Sequence, residues 1–563
     1  MPAAPASNAQ ANASTQPDAA KQPAEIKSTT PSTPYESGTV INVHTRLVTI
    51  DVVATDGKGK AITDLAAKDF SILEDGKTQT VRAFGFQRPR ELDPKFQIPK
   101  LPSNVFTNIP QFATNSALNV ILLDTLNTSL TDQSYARSQV LHYLDSLPPN
   151  EPTAVYLLTD DLKLIHDFST DAETLKQAVK STNIKFSVLL DNPLEPSAGK
   201  ADAAMRQTRR RMRIDETMLA LESLARSLAG YEGRKNLFWV SEGFPLSINP
   251  DVTLDPDAEA DFDEVENNGG KVAKAAEILT DAQVAIYPID ARGLAPYTAF
   301  SAATPTTGNI RNGADFGRSL MRESQHFVAN HDTMNLLAEN TGGKAYYNRN
   351  DIDGAIRDGM NDGSTYYLLG YYPDNKTWDG KFRKLQIKVA RAGVKLRYRL
   401  GYYAADPAAI TGKNPKQRER DLGSALMLDR PLLTGIFFEA GVVPPSEKSQ
   451  NKVTVNYAID PHTVRIDPEA DGLRHAELDC VVQAFNEKGK PAGSIISSMQ
   501  FALKQETYQK VLKSGFPCQN QLELQPGKYQ LRFAIRDNRS GVIGTSSGDI
   551  TVTAAVAENK KTQ

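Results

Sequence analysis

LNVILLD, residues 118–124, is an unbroken apolar run that ends in a carboxylate. Such a run suits a parallel strand buried on both faces, because a strand with one wet face would alternate. The chain downstream keeps this character. It predicts a helix over Gln133–Leu147 stopped by Pro148-Pro149, a strand at Thr153–Thr159, helices at Ala172–Ser181 and Asp215–Ala229, a strand at Asn236–Ser241, a helix at Lys271–Ala282 and a strand at Val284–Asp290. Helices at Thr333–Asn340, before Gly342-Gly343, and at Ile352–Met360 close the unit. Strands and helices alternating at these lengths predict a doubly wound, Rossmann-like α/β domain over residues 116–363.

On either side the period changes to two. VINVHTRLVTIDVVA, Val40–Ala54, reads as a long strand, and DFSILEDGKTQTVRAFGF, Asp69–Phe86, reads as two short strands around an Asp75-Gly76 turn. These strands, residues 38–90, are too few for a sandwich of their own. Three more strands follow the α/β domain within residues 364–403: TYYLLGYYP, FRKLQIKVA and VKLRYRLGYY. The expectation is that both sets form one β-sandwich, with the α/β domain flanked by it or inserted in it. Residues 91–115 and 404–430 read as linkers. Residues 431–556, with turn signals such as Pro526-Gly527 and Asp537-Asn538, read as a C-terminal β-sandwich, and 557–563 as a tail. The fold class is thus α/β and all-β, multidomain.

Composition narrows the function classes. Of the 563 residues, 40% are hydrophobic and 23% charged, ordinary values for a chain that folds. Lys and Arg number 64 against 67 Asp and Glu, a net charge of −3, which offers no broad basic field and disfavours a nucleic-acid role. No window approaches the roughly 18 consecutive apolar residues of a transmembrane helix. Residues 1–37 read as a disordered tether, since 28 of the first 34 are Ala, Pro, Ser, Thr, Gln or Asn. Such a tether suggests a secreted, periplasmic or cell-surface protein whose signal peptide has been removed. The two cysteines, Cys480 and Cys518, read either as buried thiols or as one disulfide of the C-terminal domain; we expect the disulfide.

In an open α/β sheet the informative place is the carboxyl edge of the strands. There Asp124 opens DTLNTS, residues 124–129; the strand ending at Ser241 brings Glu242 and Gly243, and the helix from Asp215 brings Thr217. A carboxylate with nearby hydroxyls can hold a hard cation, or Asp124 and Thr128 can simply cap the next helix. The Arg run at 206, 209, 210, 211 and 213 reads as a solvated loop and helix entry, with an acidic partner as the sharper alternative. The eight acids of Asp251–Glu266 lack the spacing of an EF-hand and read as a mobile loop. His326 and His331 are five apart, off a common helical face, and paired tyrosines such as Tyr366-Tyr367 and Tyr402-Tyr403 read as strand packing. HExxH, GxxxxGK[ST] and GxGxxG are missing from the sequence, and GxSxG occurs only as Gly544–Gly548, within the stretch read as the C-terminal β-sandwich and not at a strand-to-helix turn; no nucleophile and base pair can be named, and the expectation is a chain that is not an enzyme.

Several stretches together resemble the von Willebrand factor type A (VWA) domain proteins, specifically the VWFA-related family of Acidobacteria. They are Leu47–Lys77, NVILLDTLNTS (119–129), GRKNLFWVSEGF (233–244), LAENTGGKAYY (337–347), Tyr366–Val389 and RYRLGYY (397–403), in this order. The resemblance spans roughly residues 40–403. It implies an exported, non-enzymatic adhesion or binding protein with an unknown protein or cell-surface ligand; a scaffold of an envelope complex is the alternative, an unrecognised hydrolase a weaker one. It also implies a metal-ion-dependent adhesion site for Mg²⁺ at Asp124, Leu126, Thr128, Thr217 and Glu242. Two of these five depart from the pattern: Leu126 has no hydroxyl and Glu242 stands for Asp. The expectation is a weak, degenerate site in which only water or Asn127 fills the place left by Leu126.

Overall fold

The computed structural model describes residues 47–88, 101–110, 117–148, 151–183, 187–190, 200–244, 275–294, 313–404, 415–428, 430–445 and 451–553. All fall within one body, Arg46–Gln563. The tether and tail, the acidic stretch Asp251–Glu266, and the side chains of Arg206 and His326 lie outside the described residues.

The LNVILLD strand lies at the centre of a five-stranded sheet and is buried along its whole length. From one edge the order is Val284–Asp290, Lys235–Ser241, Leu118–Asp124, Thr153–Leu158 and Leu162–Ser169; the first four run parallel and the last is antiparallel. Separate apolar clusters fill the two faces. Leu118, Val120 and Leu122 pack with the long helix Lys200–Leu228 on one, and Ile121 and Leu123 with the helices Leu130–Asp145 and Ile352–Gly363 on the other.

Strands from the two ends of this unit meet each other. Val48–Thr55 pairs antiparallel with Tyr366–Tyr371, which pairs in turn with Ala83–Gln87, while Phe70–Glu74 pairs with Phe382–Val389. The result is two four-stranded sheets whose inward residues, among them Ile50, Val52, Ile72, Leu369 and Leu385, share one core. The tyrosines pack here as expected. Tyr367 accepts from the Leu65 amide at 3.0 Å, and Tyr371 and Tyr402 both donate to the buried Glu74 carboxylate, which also faces Arg383.

Four sequence readings need correction. Residues 105–107, read as part of a linker, form a strand that pairs with Phe438–Val443 and places Phe106 against Phe533, so this segment belongs to the C-terminal sheets. The linker 404–430 contains the helix Pro415–Ala425, whose Leu422 packs on Val481 and Ala534. The Arg run does not enter a helix from a loop; it lies inside Lys200–Leu228. Leu162–Ser169 is a strand that the reading did not contain, because only its ends are buried and it shows no clean alternation.

The C-terminal part packs a sheet ordered Phe516–Glu523, Lys452–Ile459, Phe438–Val443, Val105–Thr107 across a second, larger sheet built on Arg474–Asn486 and Gly527–Asp537, with one shared core. Cys480 and Cys518 both point into that core. They stand there as two buried thiols close enough to interact with each other.

Candidate functional site

Going from the central strand to its neighbours, the chain first steps to one side, to Thr153–Leu158, and later to the other, to Lys235–Ser241. Loops leaving those two middle strands therefore diverge, and a crevice opens at their carboxyl ends. Asp124 and Ser241 end the two strands, side by side in that place.

Asp124 is 2% exposed, yet among the described residues no basic side chain is one of its hydrogen-bond partners. Its Oδ2 receives the Trp239 indole N–H at 2.9 Å, the Ser241 hydroxyl at 3.0 Å and the Asn127 amide Nδ2 at 2.9 Å; Oδ1 receives the Asn127 backbone N–H at 3.0 Å. Burial pushes the Asp124 carboxyl above its usual range, and these neutral donors pull back against that. The same Asn127 Nδ2 donates to Thr217 Oγ1 at 2.9 Å, and Thr217 passes its own proton to the Arg213 carbonyl at 2.7 Å.

The remaining candidate residues serve the backbone. Thr128 donates to the Asp124 carbonyl and accepts from the Glu242 amide at 3.1 Å. Glu242 accepts from the Ser129 amide at 2.6 Å, which places a carboxylate on the N-terminus of the helix Leu130–Asp145, where the helix dipole favours it. Leu126 is fully buried in the core beneath the edge. Gly243 closes the hub: its amide donates to the Asn127 carbonyl at 3.0 Å. Asn330, from the helix Gly313–Thr341, clamps the strand end from the side by accepting from the Phe244 amide at 2.8 Å and donating to the Glu242 carbonyl at 3.2 Å.

Farther along the edge, Arg292 holds Asp290 through Nε at 2.9 Å and Nη2 at 2.6 Å. Burial raises the Asp290 carboxyl, but His331 and Arg292 outweigh it and leave the group below its usual range. Asp132 goes the other way, raised by burial and by the neighbouring Glu242.

The structure thus brings Asp124, Thr128, Thr217 and Glu242 into one network. Sequence reasoning missed Trp239 and Asn330; an indole in a strand that is buried along its whole length is the signal that a polar partner lies nearby. The residues do not fit the divalent cation that the family resemblance implies. Asp124 Oδ2 already takes three donors, the Asn127 side-chain nitrogen stands between that oxygen and Thr217 Oγ1, and the Glu242 carboxylate accepts from the Ser129 amide at a helix end.

No family model matches this sequence, and no curated protein matches it. Among solved structures the chain is similar to an aerotolerance-related membrane protein from Bacteroides fragilis, at 14% identity and a TM-score of 0.25, covering 44% of this chain and 98% of that one. It is similar to the conserved hypothetical protein BatB from Bacteroides thetaiotaomicron, at 12% identity and a TM-score of 0.23, covering 43% and 96%. A von Willebrand factor type A structure from Catenulispora acidiphila is similar at 9% identity and a TM-score of 0.21, covering 85% and 75%. None of the three reaches a TM-score of 0.5.

Proposed function

We propose that this chain is a non-enzymatic, VWA-like binding protein that presents the carboxyl edge of its α/β sheet to a protein or cell-surface ligand. One observation carries the reading: at the place where the sheet's connections diverge, the side chains are spent on holding loops in position. Asp124, Asn127, Thr217 and Trp239 are bonded to one another, and Glu242 and Asn330 fix the backbone around them. That arrangement suits a rigid platform for contact. Among the described residues no helix is long and apolar enough to cross a membrane. An exported setting is part of the proposal and is supported by the composition of residues 1–34.

The test is capture of envelope, matrix and glycan components on the purified chain. Glu242→Arg at the edge is compared with Lys388→Glu on the exposed face of the Phe382–Val389 strand. A component retained by wild type and by Lys388→Glu but lost by Glu242→Arg supports the reading. Equal retention by both variants, or turnover of a substrate by the isolated chain, overturns it.

A further inference from the structure

Asp124 Oδ2 and Thr217 Oγ1, 93 residues apart in the sequence, face each other across a short gap. Both are acceptors on that side, because the Thr217 proton is directed to the Arg213 carbonyl. Two such oxygens need something electropositive between them, and in this fold a divalent cation is one solution. Here the gap holds the side-chain nitrogen of Asn127, 2.9 Å from each oxygen, with one N–H for either. The orientation of the amide follows from the network: turned over, its oxygen would oppose a carboxylate and a hydroxyl lone pair at once. The other end of the amide shows what this placement costs. Asn127 Oδ1 is buried and has no hydrogen-bond partner among the described residues, an arrangement that normally destabilises and persists when the opposite end is strongly held.

We propose that Asn127 is a built-in substitute for the cation. Its amide bridges the carboxylate of the central strand to the threonine of the long helix, so the edge is held in one arrangement without metal, and a partner meets protein groups only. The two occupants exclude each other: Mg²⁺ takes oxygen ligands at about 2.1 Å, within the space that the amide nitrogen fills. Trp239 adds to the exclusion, since its N–H is directed at the oxygen that a cation would use. The inference concerns occupancy of the gap and stands whether or not the edge binds a partner.

The experiment uses the full chain. Asn127→Asp replaces the bridging donor with a second carboxylate and so creates the donor set that a divalent cation takes, two carboxylates and a hydroxyl. Thermal unfolding of wild type is expected to give one midpoint in EDTA, Mg²⁺ and Mn²⁺ alike, whereas Asn127→Asp unfolds earlier in EDTA and recovers as Mn²⁺ is added, with the concentration dependence of a ligand that binds the folded state. A second readout keeps the proposal open to refutation if that variant fails to fold: in a Trp378→Phe background Trp239 is the only indole, and its emission is expected to stay unchanged on titration with Mg²⁺. Stoichiometric Mn²⁺ uptake by wild type that is lost in Asp124→Ala, or a change in Trp239 emission with Mg²⁺, overturns the proposal. So does an Asn127→Asp protein that folds as stably as wild type in EDTA.

Discussion

Lys235 begins the strand that ends at Ser241, and it is 1% exposed. Its side-chain nitrogen donates to the Tyr231 carbonyl at 2.5 Å. Burial pushes its pKa from 10.5 down to about 7, while Asp51 and Glu232 pull it part of the way back. In the unfolded chain Lys235 holds its proton up to the ordinary lysine range near pH 10.4. Between the two values the unfolded state therefore binds a proton that the folded state does not, and stability from this group rises with pH. Below pH 7 both states are protonated, and the cost of burying the charge is fully present. At about 1.4 kcal/mol per pKa unit, the depression to about 7 corresponds to roughly 5 kcal/mol over the whole window. Lys235→Met removes the titration and keeps most of the volume. Urea unfolding followed by tryptophan emission at pH 7, 8 and 9 should show the stability of wild type relative to Lys235→Met rising by about 1 kcal/mol per pH unit. A difference that stays flat across that range would show that Lys235 remains charged in the fold, and the reasoning from burial would be wrong.

Three further outcomes are expected. Arg383→Met strands the Glu74 carboxylate, 3% exposed and 3.2 Å from the guanidinium, and should cost about 3 to 5 kcal/mol, part of which returns in Glu74→Gln/Arg383→Met; a urea midpoint close to wild type would count against it. Gly343→Ala puts a methyl group 1.9 Å from the Ile286 carbonyl oxygen and should lose about 2 kcal/mol or more, whereas Gly423→Ala, in a helix with nothing within 4 Å, should gain about 0.5 to 1 kcal/mol; calorimetric midpoints shifted in those opposite directions are the check. Cys480 and Cys518, in contact inside the core, should be joined in protein recovered from an oxidising compartment, and thiol labelling after unfolding without reductant should then find neither; labelling of both would refute this.

What could be read in advance followed from burial. LNVILLD is buried on both faces and so carries no alternation, which is why it was legible as a central parallel strand. Asp124 was legible because it ends that strand. Its partners were not, since the direction of a hydrogen bond from Asn127 or Trp239 depends on loops that close only in three dimensions. The long helix was read only from Asp215 onward. Its first half, Lys200 to Ile214, carries arginines in place of an apolar stripe, and Met205 and Met212 are exposed. Val105–Thr107 is three residues long, with prolines nearby at 102 and 110 and a partner strand at Phe438–Val443, so nothing local marks it as a strand.

The pairing of Val48 with Tyr371 has a consequence in time. A chain made or threaded from its N-terminus presents Val48–Thr55 and Phe70–Glu74 about three hundred residues before their partners exist. The α/β unit between them can close by local steps, while the early strands wait with open edges and apolar faces in water. Closing that circuit is the slow, high-contact-order event of folding, and at high concentration the waiting strands face a competitor with identical chemistry, the Tyr366–Tyr371 strand of another molecule. Exchange of these strands between copies is the misassembly that this topology invites.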